Sequence, residues 1–180
     1  AGDWTTTALG IHHTHYFIGN VGQAALLADV PHLNLLLLAK VGIAAVAFGL
    51  GSVLFAELAH SLGSIFKKAV PKAIWRPAVG GVVVIVLAYL IGPDYLGLGV
   101  TADPHFPDQV SILSSFKEGG AAPLSWWWKT LFTTVTLSSG FKGGEVTPLF
   151  FIGAALCNAM AGLLHAPVAL FVGLVFVAVF

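Results

Sequence analysis

The sequence predicts an all-α integral membrane protein. Three observations carry this expectation. Of 180 residues, 57% are hydrophobic and only 9% are charged. Mean hydropathy is +0.91. The apolar residues gather into runs of spanning or near-spanning length, separated by glycine, proline and charge. A water-soluble domain carries about 25% charged residues, so this surface is too apolar to face water on all sides.

The first segment, 1–27, is only weakly hydrophobic and reads as the tail of a preceding helix followed by a loop. It holds His12, His13 and His15, an HHxH cluster. Close histidines can bind a metal, but the nearest acids are Asp3 and Asp29 and no cysteine is near, so a polar loop is expected and no metal site. His60, His105 and His165 are scattered, as loop and interface positions are.

The first long run, 35–56, is long enough to cross a bilayer. Lys40 lies near its start and is expected to snorkel to the interface. Gly42, Ala45, Gly49 and Ser52 form a stripe of small residues that lets another helix come close. Glu57 falls at the end of this run, where a headgroup-level carboxylate is ordinary. A polar connector follows with Lys67, Lys68, Lys72 and Arg76, half of the eight basic residues, which places it on the cytoplasmic side.

The second run, 77–92, opens on Pro77, suited to a first helical turn, and stops at Gly92-Pro93-Asp94. A polar loop over 94–106 comes next, then an amphipathic stretch over 107–116 expected at the interface or partly inside the membrane. The third run begins with Trp126, Trp127 and Trp128, a headgroup belt, and breaks after Leu137 at Ser138-Ser139-Gly140. The group Thr130, Thr133, Thr134 and Thr136 is expected to bond back to helix carbonyls. The fourth run is 148–164; Asn158 within it reads as glue between helices rather than a ligand, and Cys157 as a small buried thiol. The fifth, 168–180, would make a helix of about 20 Å against a hydrocarbon core of about 30 Å. With a start at Ala1 and an end inside an apolar run, 1–180 reads as one partial transmembrane domain, a fragment truncated at both ends.

Several functions are excluded or disfavoured. Eight basic and eight acidic residues give zero net charge, which argues against nucleic-acid binding. A single cysteine cannot form an internal disulfide. No GxSxG or HExxH motif supports an enzyme, and no cofactor is expected.

The chemistry concentrates in Ser138 through Pro148, SSGFKGGEVTP. Gly140, Gly143 and Gly144 permit backbone conformations closed to other residues. Thr147 suits a helix cap and Pro148 a first helical position, so a helix is expected to begin at Pro148. The first amides of a helix have no internal partner and carry the positive end of its dipole, which makes an anion site from backbone alone. A plain surface loop is the competing reading. At membrane depth, Glu145 would be protonated or paired; it either carries a proton or pairs with Lys142.

Gly143-Gly144-Glu145-Val146-Thr147-Pro148 resembles the GGxxxP signature of the CLC family of chloride channels and anion/proton antiporters. In that family this loop opens helix N, and its amides hold the central anion. The SSG before it and LFFIGAALCNAMAGLL after it are similar to the same region. The resemblance extends to 35–66 as helix J, 73–92 as helix K, 125–139 as helix M and 168–180 as the start of helix O. It implies a CLC-like fold fragment with broken and tilted helices, from the end of helix I to the start of O, within the second inverted repeat. Only the GGEVTP region is diagnostic. Chloride-type members carry apolar residues in this loop, as in GGIFAP. The polar version here is similar to the fluoride/proton antiporter branch, where the Glu is linked to proton coupling and the Thr hydroxyl helps hold fluoride.

The resemblance therefore implies an anion site at Gly143, Gly144, Glu145, Val146 and Thr147, with Glu145 the proton-coupling residue. The implied partners are fluoride or chloride, a proton, the lipid bilayer and, at full length, a second copy of the chain in a homodimer. The implied location is a bacterial inner or plasma membrane. The family's first anion-binding loop, its gating-glutamate loop and its late pore tyrosine are not in this piece, so the chain by itself is not expected to transport. The alternatives are a membrane scaffold without an ion path and an intramembrane enzyme.

Overall fold

A computed structural model describes residues 35–100 and 110–166, with Val168, Phe171 and Val172. The described residues form four α-helices: α1 (Leu35–Ala69), α2 (Arg76–Ile91), α3 (Ser125–Ser138) and α4 (Val146–Leu164). Short 3₁₀ turns lie at Ala73–Trp75, Pro93–Tyr95 and Ser114–Phe116, and no strand occurs among the described residues. The all-α class expected from the sequence is the one observed. Residues 1–27, with His12, His13 and His15, lie outside the described residues, as do His105 and most of 168–180.

α1 runs further than its apolar stretch. Its 35 residues correspond to about 52 Å of helix, more than the roughly 30 Å hydrocarbon core, so it either tilts strongly or extends past the bilayer. Lys67 and Lys68 lie in its last turn, not in a connector, and Glu57 is well inside the helix instead of at its end. The apolar run stops at Ala56, but nothing between Glu57 and Ala69 forbids helix; Pro71 is the first residue that does. The helix is closed off by Arg76, whose Nε donates to Val70 O at 2.9 Å and whose guanidinium also donates to Pro71 O at 3.1 Å. Lys40 turns out to be anchored: its Nζ donates to His165 O at 3.2 Å.

α2 begins and ends where the sequence places it. A proline sits in its first turn, and Gly92 closes it at φ +113°, in the left-handed half of backbone space that favours glycine. Among the described residues, Leu38–Ala69, Ala73–Ile91 and Val146–Leu164 are long and apolar enough to cross a membrane. α3, at 14 residues, is too short at about 21 Å.

α3 is the centre of the arrangement and packs against α1, α2 and α4. Phe132 and Val135 of α3 and Phe151, Ala154, Ala155, Cys157 and Ala161 of α4 are buried. Tyr95, Ile112, Val168, Phe171 and Val172 close over them. Close approach is built on Gly80: a Cβ there would overlap the side chain of Ser139. The described part of the amphipathic stretch, 110–116, is a turn that ends in a 3₁₀ segment at Ser114–Phe116. Ser111 and Ser115 are buried, and the segment is a serine-bonded turn: Ser111 N donates to Ser114 Oγ at 2.9 Å and Ser114 N to Ser111 Oγ at 3.0 Å. Asn158 Nδ2 donates to Ser115 O and Lys117 O, each at 2.7 Å. It is glue, as expected, but to a turn and not to a helix.

The outer faces of α1 and α2 remain apolar and open. Val46, Leu50, Val82, Ile85, Tyr89 and Leu90 are all exposed. So many exposed large apolar side chains belong against lipid or protein. Three spanning-length helices and this surface make the chain an integral membrane protein chain.

Candidate functional site

The site begins where α3 stops. Ser139 N donates to Val135 O and Gly140 N to Leu137 O, both at 3.1 Å. Gly140 then takes φ +99°, and the chain leaves the helix. Six residues later α4 begins at Val146 with Glu145 as its N-cap. The start is two residues earlier than expected. Proline lacks an N–H but is tolerated throughout a first turn, where the amides have no intrahelical acceptor anyway. Pro148 therefore sits inside the first turn, and the first α-type bond is Leu149 N to Glu145 O at 3.1 Å. No side chain caps the helix, so Thr147 is not its cap. The amides of Val146 and Thr147 lack intrahelical acceptors and sit at the positive end of the dipole.

Facing the loop is a cavity of about 230 Å³ lined by Tyr95, Lys129, Thr133, Thr136, Gly143 and Gly144 among others. Lys129, Thr133 and Thr136 share one face of α3, four and three residues apart. Of the sequence-predicted site residues, the structure brings Gly143 and Gly144 into this lining. Glu145 and Val146 are exposed on the open side of the loop, and Thr147 is half-buried beside them. Neither Gly143 nor Gly144 has a left-handed φ, and a Cβ on either would meet no described atom within 4 Å. Within the described residues, then, only Gly140 of the three loop glycines is demanded by backbone conformation.

The threonines divide in role. Thr130, Thr134 and Thr136 donate back to Trp126 O, Thr130 O and Phe132 O at 2.7, 2.8 and 2.7 Å, as expected. Thr133 and Thr136 also line the cavity.

Sequence reading passed over Lys129. Its side chain is 1% exposed. Its Nζ donates to Gly97 O at 2.6 Å and to Tyr95 O at 3.0 Å, and lies 4.9 Å from the centroid of the Phe151 ring. The available signal was a single cation in the aromatic and threonine run of α3. Such a charge is costly at membrane depth unless it is held by partners. Among the described residues no group of His, Cys, Asp and Glu could hold a metal.

Residues 3–180 match the protein family described as voltage gated chloride channel. The chain belongs to that family, the CLC family. This CLC chain is 40% identical over 185 residues to a chloride/fluoride channel protein of Pseudomonas syringae pv. tomato, with 99% of the chain covered. It is also similar to the crystal structure of a CLC-type fluoride/proton antiporter, at 29% identity and a TM-score of 0.75 over 98% of its length. The helical CLC-like fold expected from the GGEVTP region is thus the one found. The CLC chain spans 37% of the length of the Pseudomonas protein and 40% of the antiporter chain.

Proposed function

We propose that this chain supplies one wall of the anion pathway of a CLC-type transporter, with the anion held at the N-terminus of α4. One observation carries the reading: a helix inside an apolar chain starts, uncapped by any side chain, on an open glycine-rich loop beside a cavity into which Lys129, Thr133 and Thr136 bring polar groups. The amides of Val146 and Thr147 stabilise an anion without a full cationic charge at the contact, so binding stays weak enough for release. Gly143 and Gly144 keep the approach free of side chains. The Thr147 hydroxyl adds a donor that replaces water around a small, strongly hydrated anion, which favours fluoride over chloride as cargo. Glu145, at the N-cap, carries the proton of an anion/proton exchange.

On this reading the chain works within a longer polypeptide whose remaining helices supply the other walls. That polypeptide forms a homodimer in a bacterial inner membrane. The similarity to the chloride/fluoride channel protein and to the fluoride/proton antiporter supports the class of cargo.

The test is anion efflux from liposomes bearing the full-length gene product, with fluoride and chloride compared, and with Glu145→Gln alongside wild type. Fluoride-selective efflux that moves protons, and loses that coupling in Glu145→Gln, is expected. Chloride efflux indifferent to Glu145 would leave a CLC chloride pathway and remove the fluoride/proton assignment. No efflux of either ion would point to a scaffold.

A further inference from the structure

We propose that Lys129 is the fixed positive charge of the cavity under the Gly143–Gly144 loop, and that it sets how strongly that cavity draws an anion. The inference rests on the anion-site reading above and adds a residue to it.

Lys129 and Lys142 are the charged residues in the cavity lining; among the described residues neither Asp nor Glu contributes to it. Lys142 is exposed on the loop, whereas Lys129 is buried and anchored. Two of its three N–H groups are directed at Tyr95 O and Gly97 O, and the Phe151 ring lies near it at 4.9 Å from Nζ to centroid. These contacts hold the ammonium in place without cancelling it, because carbonyl dipoles and a ring face offset a unit charge only in part. If the sole task were to tie down two carbonyls, a neutral donor would do so without the desolvation cost of a buried charge. A buried charge is also screened far less by salt than an exposed one. Its field therefore reaches the cavity, and with it the open end of α4, where the helix dipole has the same sign.

The experiment measures half-saturation and maximal rate of fluoride and chloride efflux for the full-length gene product. The variants are Lys129→Met, Lys129→Gln and Lys129→Arg, with Thr147→Val and Glu145→Gln as references for the anion site itself. Met mimics the shape without donors; Gln keeps donors without charge. Both neutral variants are expected to raise the half-saturating anion concentration about tenfold, the scale of one unit charge acting over roughly 12 Å at an effective dielectric of about 20. Maximal rate is expected to change much less, and Arg to stay closer to wild type than Met does. Folded Met or Gln variants with wild-type half-saturation would overturn the proposal. If at the same time Thr147→Val or Glu145→Gln shifts the affinity, the anion-site reading stands and only the role of Lys129 falls; if no variant shifts it, both fall. Where the neutral variants do not fold, the side-chain nitrogen resonance of Lys129 in wild-type protein decides. A shift on fluoride titration supports the proposal, and a flat resonance overturns it.

Discussion

Gly80 of α2 faces Ser139 at the end of α3 so closely that any side chain at position 80 would occupy the space of the serine Cβ. The contact joins two helix backbones at the point where the chain turns into the candidate site. Gly80→Ala gains about 0.5–1 kcal/mol of helix propensity but creates overpacking that costs typically about 1–3 kcal/mol. Net destabilisation is expected, read as a lower thermal midpoint in detergent. Adding Ser139→Gly should recover much of the loss, because the two sites couple directly. Independent, additive effects of the two substitutions would contradict the overlap.

Asn158 offers a second structural test. Replacing it with Leu takes this donor from the buried Ser115 O, while Lys117 O keeps Gly120 N. The expected cost is about 1–3 kcal/mol, with the 111–117 turn loosened from α4. Faster hydrogen exchange at the Ser115 to Lys117 amides, with α1 and α2 unchanged, is the signature to seek.

At Thr147 the prediction concerns binding. Thr147→Val keeps the shape and removes one donor, a loss of about 1 kcal/mol or roughly fivefold in fluoride affinity. Chloride, less dependent on donors, should change less. Equal losses for both ions would mean that the hydroxyl plays no part in selectivity.

Cys157 is fully buried, and its Sγ donates to Phe171 O at 3.0 Å. Thiol-reactive maleimides should leave it unmodified in the folded protein and label it on unfolding. Rapid labelling of the native protein would place the segment after α4 elsewhere than against Cys157.

Much of this arrangement is legible in the residues because the signals are local. Pro77 and Gly92 bracket α2, and Ser138 through Gly140 end α3. The GGEVTP hexapeptide alone was enough to point to the family. The end of α1 was not legible: an apolar run reports what the bilayer favours, while helix continues through Glu57, His60 and Lys67 until Pro71 prevents it. The start of α4 was misplaced for a related reason, since proline fits several positions of a first turn equally well. Lys129 was missed because its partners are distant in sequence. Nothing in WWWKTLF announces that Tyr95 O and Gly97 O will receive its ammonium.

The N-cap position of Glu145 has a thermodynamic consequence. Its carboxylate and an anion resting on the amides of Val146 and Thr147 would draw on the same partial positive charge, about half an elementary charge at a helix start. Each then raises the free energy of the other, and a proton on Glu145 removes the conflict. By reciprocity of linked equilibria, an anion that binds more tightly when Glu145 is protonated must raise the proton affinity of Glu145 by the same factor. On the proposed reading, a single turn of helix makes anion and proton mutually dependent at equilibrium, without any movement of the backbone.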